Sequence, residues 1–407
     1  MKTKWEMKEL NWRIGKMTLY EMLLDSATKF PDKIALIEGN NSITYSELKN
    51  KVDKLHAYLF SLGIEENTKI GLLLHNSFLF VISLYALSKN NNVVCLMDTQ
   101  WAPRTIIEKC IQAKVKILFV EQYVYDRLYT AIQFKHEKYT LITRDIIEQF
   151  NLAALDIINP SAIQEHDYNV LIQSSSGTTG FSKMAYRTMR NVDIDSYNIV
   201  NDLAYDSSDV VYCPVPMCHG YGLTMGLIAS VRCGATIIIA RWFKANDFLN
   251  QYQDITSTIF LGIPEIYDVF IKAMKDDYFY SENHKWFFCS GAPLDLKTGH
   301  DFFRMSGIWI NQVYGMMEAS TISVNQVPNG DTVTSIGKLI TGVEAQLVPQ
   351  KNDKYALLIR GDTVSYEYVS QSGNHFIKDN EGWFNTKDLC TTDTKGNLYL
   401  HGRKDEK

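Results

Sequence analysis

Short runs of mostly apolar residues recur between residues 34 and 289, and each is followed by a stretch long enough for a helix. Ile34-Ala35-Leu36-Ile37, Lys69 to Leu74, Val93 to Met97 and Val115 to Val120 form a first set. Val210 to Cys213, Ala235 to Ala240, Ser257 to Leu261 and Trp286 to Cys289 form a second. Strands separated by helical segments argue for βαβ units and mainly parallel sheets flanked by helices, an α/β fold in two subdomains. Local signals agree with this pattern. Leu19, Met22 and Leu23 have helical spacing, and Thr44 with Glu47 has the spacing of a capping box. Near residue 322 the pattern changes to short alternating strands, among them Val343 to Val348 and Tyr355 to Ile359. Turn signals such as Pro328-Asn329-Gly330, Ser372-Gly373-Asn374 and Lys395-Gly396-Asn397 separate them. The expected organisation is an α/β subdomain over 1–173, a second over 174–321, and a small antiparallel, β-barrel-like subdomain over 322–400.

The second subdomain opens with the chain's most unusual segment, Ser174-Ser175-Ser176-Gly177-Thr178-Thr179-Gly180-Phe181-Ser182-Lys183. Glycines let backbone N–H groups turn inward, hydroxyls add short donors, and Lys183 adds a mobile charge. Such a loop can cradle a polyphosphate. Ser/Thr/Gly-rich segments are also common as solvated linkers. Here the apolar run Val170-Leu171-Ile172 precedes the loop and helix-compatible sequence follows it, which puts it inside a domain. It is not a Walker loop, because no G-x-x-x-x-G-K-[ST] occurs. Gly220-Tyr221-Gly222 with Gly226 misses the dinucleotide fingerprint by one residue.

Composition narrows the classes. The 407 residues are 46% hydrophobic, enough for two or three cores. A net charge of -5 with interspersed signs points away from nucleic acid. Seven cysteines without a C-x-x-C pair read as thiols in a reducing compartment. The N-terminus has no signal-peptide core, and the run Phe78 to Leu87 is too short for a membrane span and reads as a buried helix. A cytoplasmic location is expected.

Four further segments carry chemistry. Pro216-Met217-Cys218-His219-Gly220-Tyr221-Gly222 reads either as a turn with a satisfied histidine or as a site loop. Ser290-Gly291-Ala292-Pro293-Leu294 is a strand-to-turn junction. In Val313-Tyr314-Gly315-Met316-Met317-Glu318-Ala319, the glutamate alone could be a charge at a helix N-terminus. In Gly382-Trp383-Phe384-Asn385-Thr386-Lys387-Asp388-Leu389, Asp388 could sit solvated at a hairpin edge, or grip a cis-diol.

Together with the loop and Tyr399-Leu400-His401-Gly402-Arg403-Lys404-Asp405, these segments resemble, in order, the motifs of the adenylate-forming enzymes. That superfamily includes acyl- and aryl-CoA synthetases, adenylation domains of peptide synthetases and beetle luciferase. The loop resembles [ST]-[ST]-G-T-T-G-x-P-K-G, with Ser182 for the proline and Met184 for the last glycine. The others resemble P-[ML]-[FY]-H-x-x-G, G-[AG]-[AE]-P-L, Y-G-x-T-E, G-W-[FL]-x-T-G-D and [FY]-x-G-R-x-D. Tyr45-Ser46-Glu47-Leu48 resembles the early Y-x-E-L, so the likeness runs through nearly the whole chain.

The resemblance implies roles. Ser174 to Gly180 and Lys183 would hold the phosphates of ATP. Gly291, Ala292, Pro293, Tyr314 and Gly315 would line adenine, and Asp388 and Arg403 the ribose. Mg2+ would sit on Glu318 and Thr178, and Lys183, His219 and Glu318 would serve catalysis. His219, Tyr221, Gly222, Ile263, Gly291, Met316 and Met317 would form the acid pocket. Gly220 stands where amino-acid-activating relatives carry an aspartate, so the implied substrate is an apolar aliphatic or aromatic carboxylic acid. The implied reaction forms acyl-AMP and pyrophosphate, then passes the acyl group to CoA or to phosphopantetheine on an acyl carrier protein.

Departures from the motifs bear on activity. Met317 replaces the threonine that bonds the α-phosphate, and a thioether cannot donate. Cys218 replaces an aromatic residue, and Lys387 a glycine. A nucleotide- or acyl-AMP-binding protein with degenerate catalysis is the alternative. A phosphate-loop kinase or NTPase is a third reading. Residues 401–407, with Asp405 as hinge, would lead to a small C-terminal domain in the family. The expectation is a truncated chain, weak or inactive in adenylation by itself.

Overall fold

Thr44 and Glu47 cap the helix Tyr45–Ser61 as their spacing predicts. The Thr44 hydroxyl accepts from the Glu47 N–H at 3.2 Å, and the Glu47 carboxylate from the Thr44 N–H at 2.8 Å. Two donors that the helix itself cannot satisfy are thereby paired. Thr18 with Glu21 and Thr188 with Asn191 start the helices Leu19–Lys29 and Met189–Asp202 in the same way. The computed structural model describes residues 15–135, 140–143, 168–175, 183–252, 258–274, 284–370 and 375–403.

The strands form three sheets. The largest has nine strands in the order Lys338–Leu339, Ser320–Val324, Asn311–Met316, Trp286–Cys289, Ile259–Gly262, Val210–Cys213, Thr236–Ile239, Ile34–Glu38 and Asn41–Thr44. Its interior pairs, from Asn311–Met316 to Ile34–Glu38, are all parallel. The second has eight strands, in the order His375–Phe376, Glu367–Tyr368, Met184–Thr188, Asn169–Ser174, Val93–Leu96, Lys69–Leu73, Ile117–Val120 and Thr140–Thr143. It is parallel from Asn169–Ser174 onward.

The core of the first sheet is an aromatic ladder set by register. Tyr212 pairs with Phe260, and Phe260 with Phe287, on neighbouring strands. Their rings stack at 5.7 and 5.4 Å. Phe270 from helix Pro264–Met274 and Phe302 from helix Leu296–Ser306 close over the ladder. Each such buried side chain contributes about 1.5–3 kcal/mol, and each ring pair about 0.5–1.5 kcal/mol more.

The helix Phe78–Lys89 is buried along most of its length, as its composition predicts. No helix among the described residues is long and apolar enough to cross a membrane.

Three expectations change. The segment after the serine/threonine loop is a strand, not a helix: Met184–Thr188 returns antiparallel beside Asn169–Ser174, with Ser174 opposite Met184. Pairing with the neighbouring strand overrides local preference there. The boundaries at 173/174 and 321/322 do not separate the sheets. Ile34–Glu38 crosses to pair with Thr236–Ile239, Met184–Thr188 stays in the second sheet, and Glu367–Tyr368 joins it. Ser320–Val324 also remains in the first sheet beside Asn311–Met316. The third sheet, Val343–Pro349, Tyr355–Gly361, Phe384–Thr392 and Leu398–Arg403, is antiparallel and open. Its first and last strands do not pair with each other, so no barrel closes among the described residues.

Candidate functional site

The candidate residues collect beyond the carboxyl ends of parallel strands, where α/β sheets bind ligands. Ser174 ends Asn169–Ser174, Ile263 follows Ile259–Gly262, Gly291 follows Trp286–Cys289, and Met316 ends Asn311–Met316. His219 lies a short loop beyond Val210–Cys213. The ends of the two large sheets meet here. His219 Nε2 lies 3.1 Å from Asp98 Oδ2, and Asp98 follows Val93–Leu96. The Gln173 amide lies 3.6 Å from where a Cβ on Gly220 would stand.

At the loop mouth, the Ser175 N–H donates to the Lys183 carbonyl at 3.1 Å. Ser174 Oγ is buried without a hydrogen-bond partner among the described residues. An unpaired buried hydroxyl costs about 1–3 kcal/mol, so its presence fits a ligand that would accept from it. Ser176, Gly177, Thr178, Thr179 and Gly180 lie outside the described residues, as does Asp405.

Glu318 sits in the turn of a hairpin between Asn311–Met316 and Ser320–Val324, not at a helix N-terminus. The hairpin is tight: a Cβ on Gly315 would stand 2.2 Å from the Ser320 carbonyl oxygen. Glu318 Oε1 accepts from the Tyr368 hydroxyl at 2.7 Å, and the Lys183 ammonium lies 4.7 Å from the Tyr368 ring centre. Burial and the Glu318 charge both raise the Tyr368 hydroxyl, which stays protonated and donating.

Tyr314, on the same hairpin, turns toward a separate group. Its hydroxyl donates to Asp388 Oδ2, and Arg403 Nε lies 3.3 Å from Asp388 Oδ1. Asp388 is therefore a buried, paired carboxylate rather than a solvated hairpin edge. Lys387 beside it takes φ +65°, the left-handed conformation in which glycine is free of strain.

The acid-pocket candidates form a third group. Gly291 has φ +88°, and Ile263 Cγ2 lies 3.4 Å from where its Cβ would stand. Tyr221 leads into a π-helix, Gly222–Ile228, a distortion common at functional sites. Its hydroxyl is buried without a partner among the described residues. Met316 and Met317 are half-buried in the hairpin turn region. Burial disfavours a charged His219 ring, but the Cys218 sulfur and the Asp98 carboxylate outweigh it and raise the imidazole from 6.5 to about 10. Burial pushes Asp98 up, yet hydrogen bonds from His219 and the Gln100 N–H hold it below its ordinary value.

Asp98 and Tyr368 are the two participants that the motifs do not flag. Asp98 had a usable signal, its place just past the apolar run Val93 to Met97. Tyr368 had none, because its partner Glu318 is 50 residues away in sequence.

The protein is an α/β protein whose candidate residues gather at the carboxyl ends of its parallel strands, and comparison with known proteins gives it a family. Residues 23–369 match the model of the AMP-binding enzymes. The chain belongs to that family, within the adenylate-forming superfamily. It is 25% identical to 4-coumarate–CoA ligase 1 of Petroselinum crispum over 419 residues, covering 96% of this chain and 76% of the relative. Among solved structures, a long-chain-fatty-acid–CoA ligase (FadD1) from Archaeoglobus fulgidus matches with a TM-score of 0.86 and 17% identity, over 95% of this chain and 84% of that one. The N-terminal domain of FACL13 from Mycobacterium tuberculosis matches with a TM-score of 0.85 and 21% identity, over 95% of this chain and 99% of that one. The family and its CoA-ligase relatives support an acid–thiol ligase.

Proposed function

We propose that this chain activates a carboxylic acid with ATP, forming acyl-AMP and pyrophosphate, and transfers the acyl group to the thiol of CoA or of phosphopantetheine. One observation carries the reading: a single hairpin sets Tyr314 against Asp388, which Arg403 also meets, and Glu318 against Tyr368, whose ring lies under Lys183. The first group, with the backbone of Gly291, Ala292, Pro293 and Gly315, takes adenine and ribose. Lys183, with Ser174, Ser175 and the loop residues Ser176 to Gly180, takes the phosphates.

Attack by the acid on the α-phosphorus spreads negative charge over the phosphate oxygens, and fixed positive groups lower that barrier. Lys183 supplies one such group. Glu318 keeps Oε2 free of hydrogen bonds among the described residues, and a carboxylate oxygen suits Mg2+, with Thr178 assigned as its companion. The ion would neutralise phosphate charge. His219, its Nε2 3.1 Å from the Asp98 carboxylate, lines the side of the site assigned to the acid's carboxylate. Tyr221, Gly222, Ile263, Gly291, Met316 and Met317 give the acid a mostly apolar pocket, which suits an aliphatic or aromatic acid without an α-ammonium.

The test is ATP–pyrophosphate exchange by the purified protein across aliphatic and aromatic acids, with mass spectrometry for acyl-AMP. Acid-dependent exchange and an acyl-AMP product are expected. Calorimetric AMP binding without exchange for any acid would replace this reading with a binding protein of degenerate catalysis, which Met317 favours. ADP and phosphate as products would refute both.

A further inference from the structure

Three side chains able to bind metals converge where the two large sheets meet. Asp98 lies past Val93–Leu96, and Cys218 and His219 lie past Val210–Cys213. One ligand atom from each, a carboxylate oxygen, a sulfur and a ring nitrogen, falls within 4.8 Å of the other two. All three residues are half-buried, so an ion can reach them from solvent.

We propose that Asp98, Cys218 and His219 form a binding site for a thiophilic divalent cation of the Zn2+ class, with three protein ligands and one open position. Zn2+ takes sulfur at about 2.3 Å, nitrogen at about 2.0–2.1 Å and carboxylate oxygen at about 2.0–2.2 Å, which sets tetrahedral donors roughly 3.3–3.8 Å apart. His219 Nε2 and Asp98 Oδ2, 3.1 Å apart, already sit close to that spacing, and the Cys218 sulfur lies within 4.8 Å of a ligand atom on each. The donor set selects the metal. Sulfur and imidazole suit Zn2+, whereas Mg2+ prefers an all-oxygen shell with several waters. The site is therefore separate in chemistry from the Mg2+ expected at Glu318.

The surroundings hold the ligands in place. Asp98 Oδ1 accepts from the Gln100 N–H at 2.8 Å, which leaves Oδ2 turned toward His219. Asn76 clamps the other segment: its Nδ2 donates to the Val215 carbonyl at 2.8 Å, and its Oδ1 accepts from the Met217 N–H at 2.7 Å. His75 Nε2 lies 3.0 Å from Thr99 Oγ1, next to Asp98. Two consecutive residues thus brace both ligand-bearing segments, the kind of outer support that metal sites require. Cys218 is one of two half-buried cysteines, the other being Cys233; the remaining free cysteines are buried. The inference goes beyond the acid-activation reading and stands without it.

Cobalt(II) titration of the full chain tests the site. One equivalent should bind, with a thiolate-to-cobalt charge-transfer band and the visible bands of a four-coordinate ion. Zn2+ should displace it, and Mg2+ should not. Cys218→Ser should abolish the charge-transfer band, Asp98→Asn should weaken binding roughly 10–100-fold, and Cys233→Ser should change neither. No thiolate band in the wild type, or a band that survives Cys218→Ser, overturns the proposal. Should Cys218→Ser fail to fold, zinc-edge X-ray absorption on the wild type decides. One sulfur with nitrogen and oxygen neighbours supports the site, and a shell without sulfur refutes it.

Discussion

Asp195→Asn should stabilise the protein at neutral pH, although it removes one partner of a buried ion pair. Asp195 lies in helix Met189–Asp202 with no exposed surface, facing Arg187 of strand Met184–Thr188, which is also buried. Arg187 Nη2 is 3.7 Å from Asp195 Oδ2, too far for a hydrogen bond. The Thr224 and Ser320 hydroxyls, which pair with each other at 3.1 Å, and the Thr321 N–H face the carboxylate and favour its charged form, but together with Arg187 they do not offset its burial.

Two effects oppose each other. Attraction at 3.7 Å amounts to about 4.5 kcal/mol at an effective dielectric constant of about 20. Desolvating the carboxylate costs several kcal/mol or more. The balance is visible in the carboxyl itself: burial lifts it, the Arg187 charge lowers it, and the result rises from 3.8 to about 6. Desolvation therefore wins. At about 1.4 kcal/mol per tenfold change in proton affinity, the ionised form is disfavoured on folding by about 3 kcal/mol. The raised value means that the folded protein holds the proton more tightly than the unfolded chain. This contribution to stability is fully present below about pH 4 and is lost as pH rises through about 6.

Asparagine keeps the shape and does not ionise. At pH 7.5 it should gain up to about 3 kcal/mol over the wild type, and at pH 4 the two should converge. For a cooperative unfolding of 407 residues, that gain raises the thermal midpoint by roughly 3–4 °C. Scanning calorimetry of both proteins at the two pH values is the assay. If Asp195→Asn instead lowers the midpoint at pH 7.5 by more than at pH 4, the pairing with Arg187 outweighs desolvation and the reasoning fails.

Three further outcomes are expected. Lys387→Gly removes left-handed strain of about 1–2 kcal/mol and adds about 0.5–1 kcal/mol of unfolded-state entropy, so a small rise in thermal midpoint should follow; a fall would show that the Lys387 side chain holds something. Gly315→Ala drives a Cβ into the Ser320 carbonyl and should disturb Tyr314 and Glu318 together, weakening AMP binding by calorimetry at least about 10-fold, or about 1.4 kcal/mol; unchanged affinity would detach the hairpin from the nucleotide. Met317→Thr restores a donor worth about 1.5–3 kcal/mol to a charged acceptor and should raise pyrophosphate exchange roughly 10–100-fold; an unchanged rate would place the α-phosphate elsewhere.

Much of the framework was legible from local chemistry. Apolar runs marked the parallel strands, and Thr44 with Glu47 marked a helix start, because both depend on residues a few positions apart. The same holds for the order of the motifs along the chain, whereas the hairpin that joins Asn169–Ser174 to Met184–Thr188 was not legible, because the segment after the loop reads locally as helix-compatible. Tertiary structure alone decided which strands share a sheet, since Ile34–Glu38 finds its parallel partner at Thr236–Ile239 and no periodicity encodes that choice. It also decided the partners of the candidate site: Asp98 for His219, Tyr368 for Glu318, and Asp388 for Tyr314. A side chain's chemistry is written in the sequence, but the charge or hydroxyl that faces it arrives from a distant segment. Burial then sets the outcome, turning the Arg187–Asp195 pair from an ordinary salt bridge into a carboxyl that favours its proton.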